Sequence, residues 1–240
     1  MRVDEKIEKG AARLRVAEIY ASRQGGPLTG RPSVFVRLSG CNLRCHFCDT
    51  PFASWTPEGP QISLDELLSK VLEFPEADVV ITGGEPLIFP ALTELTQYLR
   101  QAGRVITIET AGTVDTPFVC DLLSISPKLS SSAPDVDSHP AWHRTHHERR
   151  ERLDLVREWI SRFDYQLKFV VGSPSDTAEV LDYLHRLGSA SHEKVWLMPE
   201  GTDWATLEEK ANWLQPFCSE HGFHYCPRQH IQWYGNRRGT

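Results

Sequence analysis

The chain has no run of about 18 apolar residues, and so no candidate membrane span. Its first residues, MRVDEKIEKGAARLRV, are charged and contain no apolar stretch, which excludes a secretory signal. A basic excess is missing too. Against 32 Asp and Glu stand 26 Lys and Arg, giving a net charge of −6, a poor balance for a dedicated nucleic-acid binder. Basic residues gather only locally, between His143 and Arg152 and at Arg237-Arg238, and read as solvated surface. No internal repeat and no low-complexity linker divides the 240 residues, so a single α/β domain over 1–240 is expected. Cysteine is scarce, at six, and nothing points to an oxidising compartment. In a reducing cytoplasmic setting, clustered cysteines are metal or redox ligands rather than staples.

Short apolar runs rich in β-branched residues alternate with longer segments of helical period, the pattern of a parallel sheet with crossover helices. Strands are expected at Val34–Leu38, Val79–Thr82, Val105–Glu109, Leu122–Ser126, Gln166–Val171 and Val195–Met198. Ser63 and Glu66 form a capping box ahead of a first long helix. Further helices are expected at Ala91–Gln101, Arg149–Phe163, Thr177–Leu187 and Trp204–His221. The turn-rich stretch SSSAPDVDSHPAW, within about 130–147, reads as an irregular surface excursion. Six such strands fit an open doubly wound sheet or a partial barrel. Every unusual sequence feature follows a strand: SGCNLRCHFCDT after the first, Gly83-Gly84-Glu85-Pro86 after the second, Glu109-Thr110 after the third, Ser126-Pro127-Lys128 after the fourth, and Met198-Pro199-Glu200-Gly201 after the sixth. Strand C-termini are where such folds carry their sites.

Cys41, Cys45 and Cys48 are spaced C-x3-C-x2-C with no fourth cysteine nearby. Structural zinc closes a tetrahedron with four protein ligands, so a zinc reading must recruit His46 or a remote residue such as Cys226. A cubane iron–sulfur cluster takes one ligand per iron, and three thiolates leave one iron open for a ligand. A redox thiol site is the third possibility. Cys120, Cys218 and Cys226 are scattered and read as ordinary thiols.

The cysteine motif, with Phe47 before the last cysteine, and the Gly83-Gly84-Glu85-Pro86 segment roughly forty residues later together resemble the signatures of the radical S-adenosylmethionine (SAM) superfamily. Within it, EIYASRQGGPLTGRPSVFVRLSGCNLRCHFCDT, TGGEPL, ETAGT, SPK, QLKFVV and LMPEG resemble the 7-carboxy-7-deazaguanine synthase family across most of the chain. The resemblance implies a partial (β/α) barrel of about six parallel strands. It also implies a [4Fe–4S] cluster on the three cysteines, with SAM on the open iron as a regenerated cofactor. The implied reaction converts 6-carboxy-5,6,7,8-tetrahydropterin to 7-carboxy-7-deazaguanine with loss of ammonia, in 7-deazapurine (queuosine) biosynthesis. It brings Mg²⁺ on Thr50, an electron donor such as flavodoxin or ferredoxin, and a homodimer.

Residue by residue, the resemblance places SAM against Phe47, Cys48, Asp49, Gly84, Ser126, Pro127, Lys128, Met198, Pro199, Glu200 and Gly201. It places the pterin against Gln24, Gly25, Gly26, Arg37 and Thr82, with Arg37 facing the substrate carboxylate as a bidentate fork. Arg37 in an apolar strand would be a costly buried charge without a partner, which itself favours a role in binding. Glu109 is expected near SAM or substrate, and Lys168 either there or at a strand edge. The family pattern QGEG reads Gln24-Gly25-Gly26-Pro27 here, one residue shorter and without the acid. Either Glu18 or Glu109 supplies the missing carboxylate, or the substrate is held differently. A C-terminal segment at about 222–240, with His230, Trp233 and Tyr234, is expected to close over the substrate. Two rival readings are a radical SAM activase that makes a glycyl radical on a partner protein, and a zinc-stabilised binding module.

Overall fold

The structure, a computed structural model, describes residues 12–235 and 237–239. Nine strands form one sheet: β1 (Arg13–Arg23), β2 (Pro32–Leu38), β3 (Gln61–Ser63), β4 (Asp78–Gly83), β5 (Val105–Thr110), β6 (Leu122–Ile125), β7 (Tyr165–Val171), β8 (Val195–Pro199) and β9 (His224–Tyr225). Their order is β3-β1-β2-β4-β5-β6-β7-β8-β9. The six expected strands, β2 and β4–β8, are its parallel centre. Among the described residues the α-helices are α1 (Pro51–Ser54), α2 (Leu64–Leu72), α3 (Leu92–Gln101), α4 (Pro140–Arg149), α5 (Leu153–Arg162), α6 (Pro174–Leu187), α7 (Trp204–His221) and α8 (Gln229–Tyr234).

Local chemistry explains the main helix ends. Ser63 caps α2 by accepting from the Glu66 amide at 3.2 Å, and Asp65 and Glu66 at the start and Lys70 at the end suit the helix dipole. Pro174 opens α6 and Gly188 closes it in the left-handed conformation.

Alternation along the parallel strands gives the sheet two unlike faces. One carries Val34, Val36, Leu38, Val79, Ile81, Ile106, Ile108, Leu123, Ile125, Leu167 and Phe169, all fully buried. The other, at the alternate positions of the same register, carries Ser33, Arg37, Thr82, Thr107, Glu109, Ser124, Gln166 and Lys168. Central parallel strands are ordinarily apolar on both faces, so a polar face here is a lined cavity rather than a packed layer. The sheet also curves. Gly26, in the short turn between β1 and β2, lies so near Gln166 on β7 that an added Cβ would stand 2.5 Å from Oε1. Gly26 is three residues from the end of β1, a reach of about 10 Å, whereas five strand spacings of about 4.8 Å would separate β1 from β7 on a flat sheet. The polar face is therefore the concave side of a partial barrel.

Three strands escaped the sequence reading. In β1 a register shift between Val16 and Glu18 breaks the alternation that Leu14 and Val16 begin, and beyond it Glu18, Tyr20 and Ser22 oppose Arg37, Phe35 and Ser33 on the cavity face. The short β3 and β9 each pair only at an edge. The excursion expected within 130–147 contains α4, and α5 begins at Leu153 rather than Arg149. Helix α4 has no apolar stripe; its one buried residue is His146. The substitution Phe169→Ala, which removes a fully buried ring set edge-on to Tyr183, is expected to cost about 3–5 kcal/mol in chemical denaturation.

Candidate active site

The cysteine loop is seated by backbone on the turn after β4. Gly84 N donates to Leu38 O at 3.1 Å, Glu85 N to Gly40 O at 2.9 Å, and Gly40 N to Ala53 O at 2.8 Å. The approach is too close for side chains: a Cβ on Gly83 would lie 2.0 Å from Leu38 O, and one on Gly84 2.2 Å from Gly40 O. Beneath the turn, fully buried Glu85 accepts from Leu87 N, Thr110 Oγ1 and Ala111 N at 2.7–3.0 Å, joining the ends of β4 and β5. Burial pushes its carboxyl up from the ordinary range, against these hydrogen bonds. Glu85 was not expected as a site residue, although its place inside GGEP could have signalled it.

On this seat lie the three thiols, all free. Burial pushes Cys41 up to about 12 and Cys45 to about 11, so ionising them calls for a local positive charge such as iron. Leu43 N points at Cys41 Sγ at 3.4 Å, and Ser54 Oγ lies 3.1 Å from Cys48 Sγ. This donor set, three sulfurs from one braced loop with hydrogen-bond donors beside two of them, fits a cubane bound at three corners. Among the described residues no three His, Cys, Asp or Glu side chains converge as a single-ion metal site. His46 is exposed, and buried Cys226 has Lys168, Glu109, Arg228 and Gly26 as its electrostatic neighbours, so neither completes a zinc tetrahedron. Thr50 precedes α1 without capping it by its side chain; its hydroxyl is 3.8 Å from Cys48 Sγ.

The expected SAM-side residues fall on the loop itself and at the C-terminal ends of β4, β6 and β8. Phe47 and Asp49 are half-buried within it. The Lys128 ammonium donates to Ser126 O at 2.6 Å and to Ser126 Oγ at 2.8 Å beside buried Pro127, and its charge reaches Cys45. Met198 and Pro199 end β8, Glu200 is paired with Lys210 at 2.6 Å, and Gly201 turns the chain at φ 148°.

Ion pairs line the cavity below. Arg37 does have partners: Nε donates to Glu18 Oε1 at 3.1 Å and Nη2 to Tyr20 OH at 2.7 Å. Glu109 accepts from Lys168 Nζ at 3.0 Å and from Thr82 Oγ1 at 2.9 Å. Burial would raise the Glu109 carboxyl, but Lys168 and these hydrogen bonds outweigh it and hold it at about 2. Lys168 is thus an interior partner, not a strand-edge residue. At the floor, Gln24 Nε2 donates to Ser33 Oγ at 2.8 Å and Gln24 Oε1 accepts from Thr107 Oγ1 at 3.3 Å. Gly26 is buried against Gln166, whereas Gly25 is exposed.

From the C-terminal segment Arg228, buried, pairs with Asp49, and half-buried His230 shares their electrostatic environment. Trp233 and Tyr234 are 42% and 39% exposed, so these two aromatics do not turn inward. Residues 236 and 240 of it lie outside the described residues. Arg228 carried no sequence signal, because its partner Asp49 is remote in the chain.

Two outcomes test this geometry. Replacing Gly84 by Ala is expected to destabilise the chain by about 2–4 kcal/mol in thermal unfolding, since the Cβ meets backbone that cannot yield. Glu109 has a depressed folded-state value, so its contribution to stability is present above the ordinary carboxylate range and is lost as pH falls towards about 2. In Lys168→Met burial then dominates and the Glu109 carboxyl titrates above the ordinary range by carbon-13 NMR; an unchanged value contradicts the pairing.

A sequence model of the Radical SAM superfamily matches residues 35–213. A protein of Rhodopirellula baltica named 7-carboxy-7-deazaguanine synthase is 47% identical over 229 residues, covering 95% of this chain and 89% of its own. Its namesake in Halobacterium salinarum is 41% identical, covering 91% and 89%. The crystal structure of QueE from Escherichia coli superposes with a TM-score of 0.69 at 21% identity, over 90% of this chain and 94% of that one, and shares the fold. With a three-cysteine loop seated on a Gly-Gly-Glu-Pro turn above a polar barrel interior, and relatives matching along nearly its whole length, the chain belongs to the 7-carboxy-7-deazaguanine synthase family of the radical SAM superfamily.

Proposed function

We propose that this chain converts 6-carboxy-5,6,7,8-tetrahydropterin to 7-carboxy-7-deazaguanine with release of ammonia, as a carbon–nitrogen lyase of 7-deazapurine biosynthesis. The observation that carries the reading at the level of substrate is the polar concave face. It presents fixed donors and acceptors together, Arg37 and Lys168 against Glu18 and Glu109, with Gln24 and Thr82 between them. A flat heterocycle rich in both donors and acceptors matches such a lining. Conversion of the pterin to the product plus ammonia balances without an external oxidant.

In this reading Arg37, oriented by Glu18 and Tyr20, receives the substrate carboxylate. Glu109, kept ionised by Lys168, accepts from the amino and ring N–H groups of the pterin, the part played in the family pattern by the glutamate missing after Gln24. Gln24, Thr82 and the Gly25-Gly26 turn complete the floor. Family membership implies a [4Fe–4S] cluster on Cys41, Cys45 and Cys48, and SAM. When bound, these would supply the one-electron chemistry that begins at a substrate C–H bond. The chain's own residues bind, orient and exclude water. Phe47, Asp49, Gly84, the Ser126–Lys128 turn and the Met198–Gly201 turn border the SAM side. The Thr50 hydroxyl, not spent on a cap, is the Mg²⁺ ligand, a hard oxygen donor for a cation that keeps sites for substrate oxygens. No helix among the described residues is long and apolar enough to cross a membrane. A flavodoxin- or ferredoxin-type donor, a homodimeric state and a single functional unit over residues 1–240 belong to the same proposal.

The test is anaerobic turnover of the reconstituted protein with SAM, reductant and the carboxy-pterin. Product acid and ammonia in equal amounts are expected, and SAM cleavage without that product overturns the substrate assignment. Arg37→Leu is expected to raise KM by about 10–100-fold through loss of a charge-assisted hydrogen bond. Thr50→Ala should keep cluster and SAM binding but lose stimulation by Mg²⁺ in a titration of initial rate; stimulation retained there refutes the threonine's role.

A further inference from the structure

Helix α4 packs its single buried residue, fully buried His146, against the cysteine loop. His146 Nδ1 lies 3.3 Å from the backbone N of Arg44 and must accept from it. The ring proton therefore sits on Nε2, which is 2.8 Å from Ser132 Oγ and donates to it. The Ser132 carbonyl in turn accepts from His46 N at 3.1 Å. The amides on both sides of Cys45 are thus held by one segment, residues 132–146, which the sequence marks only as irregular. The Cys45 carbonyl is held as well, by Trp55 Nε1 at 2.9 Å, and the Trp55 ring rests on His139 of the same segment at 4.9 Å between centroids. Arg44 completes the contact, its guanidinium 4.1 Å from the centre of the Trp142 ring on α4. The Ser132 hydroxyl stands beside the Cys45 sulfur. Here it donates to Leu129 O at 2.6 Å, and a hydroxyl rotor can turn instead to a thiolate. Burial, with His147, Lys128, Arg150 and His143 around it, lowers His146 to about 4, so the ring is neutral and keeps its acceptor.

We propose that His146 is a positioning residue for the middle cysteine: it fixes the Arg44 peptide through Nδ1 and, through Nε2, presents the Ser132 hydroxyl to the Cys45 sulfur. Helix α4 thereby governs how firmly the loop retains its cluster, and the sulfur's hydrogen bond tunes the cluster's potential. This rests on the cluster reading of the three cysteines, but its first test does not. In the metal-free protein at neutral pH, nitrogen-15 NMR is expected to show the His146 proton on Nε2 with Nδ1 unprotonated; the opposite tautomer overturns the proposal whether or not a cluster forms.

In the reconstituted protein, His146→Leu, which fills the space but cannot accept, is expected to release iron to a chelator about 10-fold faster than the parent at a temperature where circular dichroism shows it folded. His146→Asn, whose carboxamide oxygen can still accept from the Arg44 amide, is expected to return most of that loss. Ser132→Ala separates the second arm and removes only a hydroxyl. It should keep its iron while the cluster's midpoint potential moves to more negative values, as for a sulfur that loses a hydrogen bond. Parental iron release from folded His146→Leu, or a parental potential in Ser132→Ala, contradicts the proposal. The serine variant decides it if the leucine variant does not fold.

Discussion

The site depends on the interlock of two strand ends, Leu38 to Gly40 and Gly83 to Glu85, through main-chain hydrogen bonds with no room for a side chain between them. Loops ordinarily move more than the sheet that carries them. Here the loop that bears the cysteines is bonded directly to a neighbouring strand's turn, and that turn is riveted by Glu85 to the end of β5. The thiols inherit the rigidity of the sheet, and a cofactor held at three corners needs that, because any slack in the loop changes all three distances together.

The second constraint is the charge on the concave face. Arg37, Glu109, Lys168 and Arg228 are each tolerable in a cavity because each meets an opposite charge: Glu18, Lys168, Glu109 and Asp49. Such pairs contribute little to stability by themselves. What they secure is orientation, holding charged groups at fixed positions before any ligand arrives. The Asp49–Arg228 pair also links the two halves of the site, since Asp49 follows the last cysteine and Arg228 belongs to the segment after β9. The C-terminal segment is thereby tied to the cofactor side.

Much of this was legible in the sequence where the signal is local. The six central strands are β-branched runs between turn residues, and the helices α3, α6 and α7 show an apolar period or strong caps. The three cysteines and the Gly-Gly-Glu-Pro turn are contiguous motifs. What stayed hidden is what long-range contact decides. Strand β1 changes its alternation at the irregularity between Val16 and Glu18, beyond which Glu18 and Tyr20 serve the cavity rather than the core. Helix α4 lacks an apolar face, because it packs a histidine against a loop's peptide groups. Arg228 looks like any surface arginine until the fold brings it to Asp49. Arg37, singled out as a charge in an apolar strand, finds its protein partners Glu18 and Tyr20 on β1, one of the strands the sequence does not announce.

Three thiolates on a rigid seat would leave one iron of a cubane without a protein ligand. Mössbauer spectroscopy of the protein reconstituted with iron-57 reads this out. One iron site distinct from the others is expected, with parameters that shift when SAM is added while the remaining sites stay as they were. Four equivalent irons, unaffected by SAM, would contradict it.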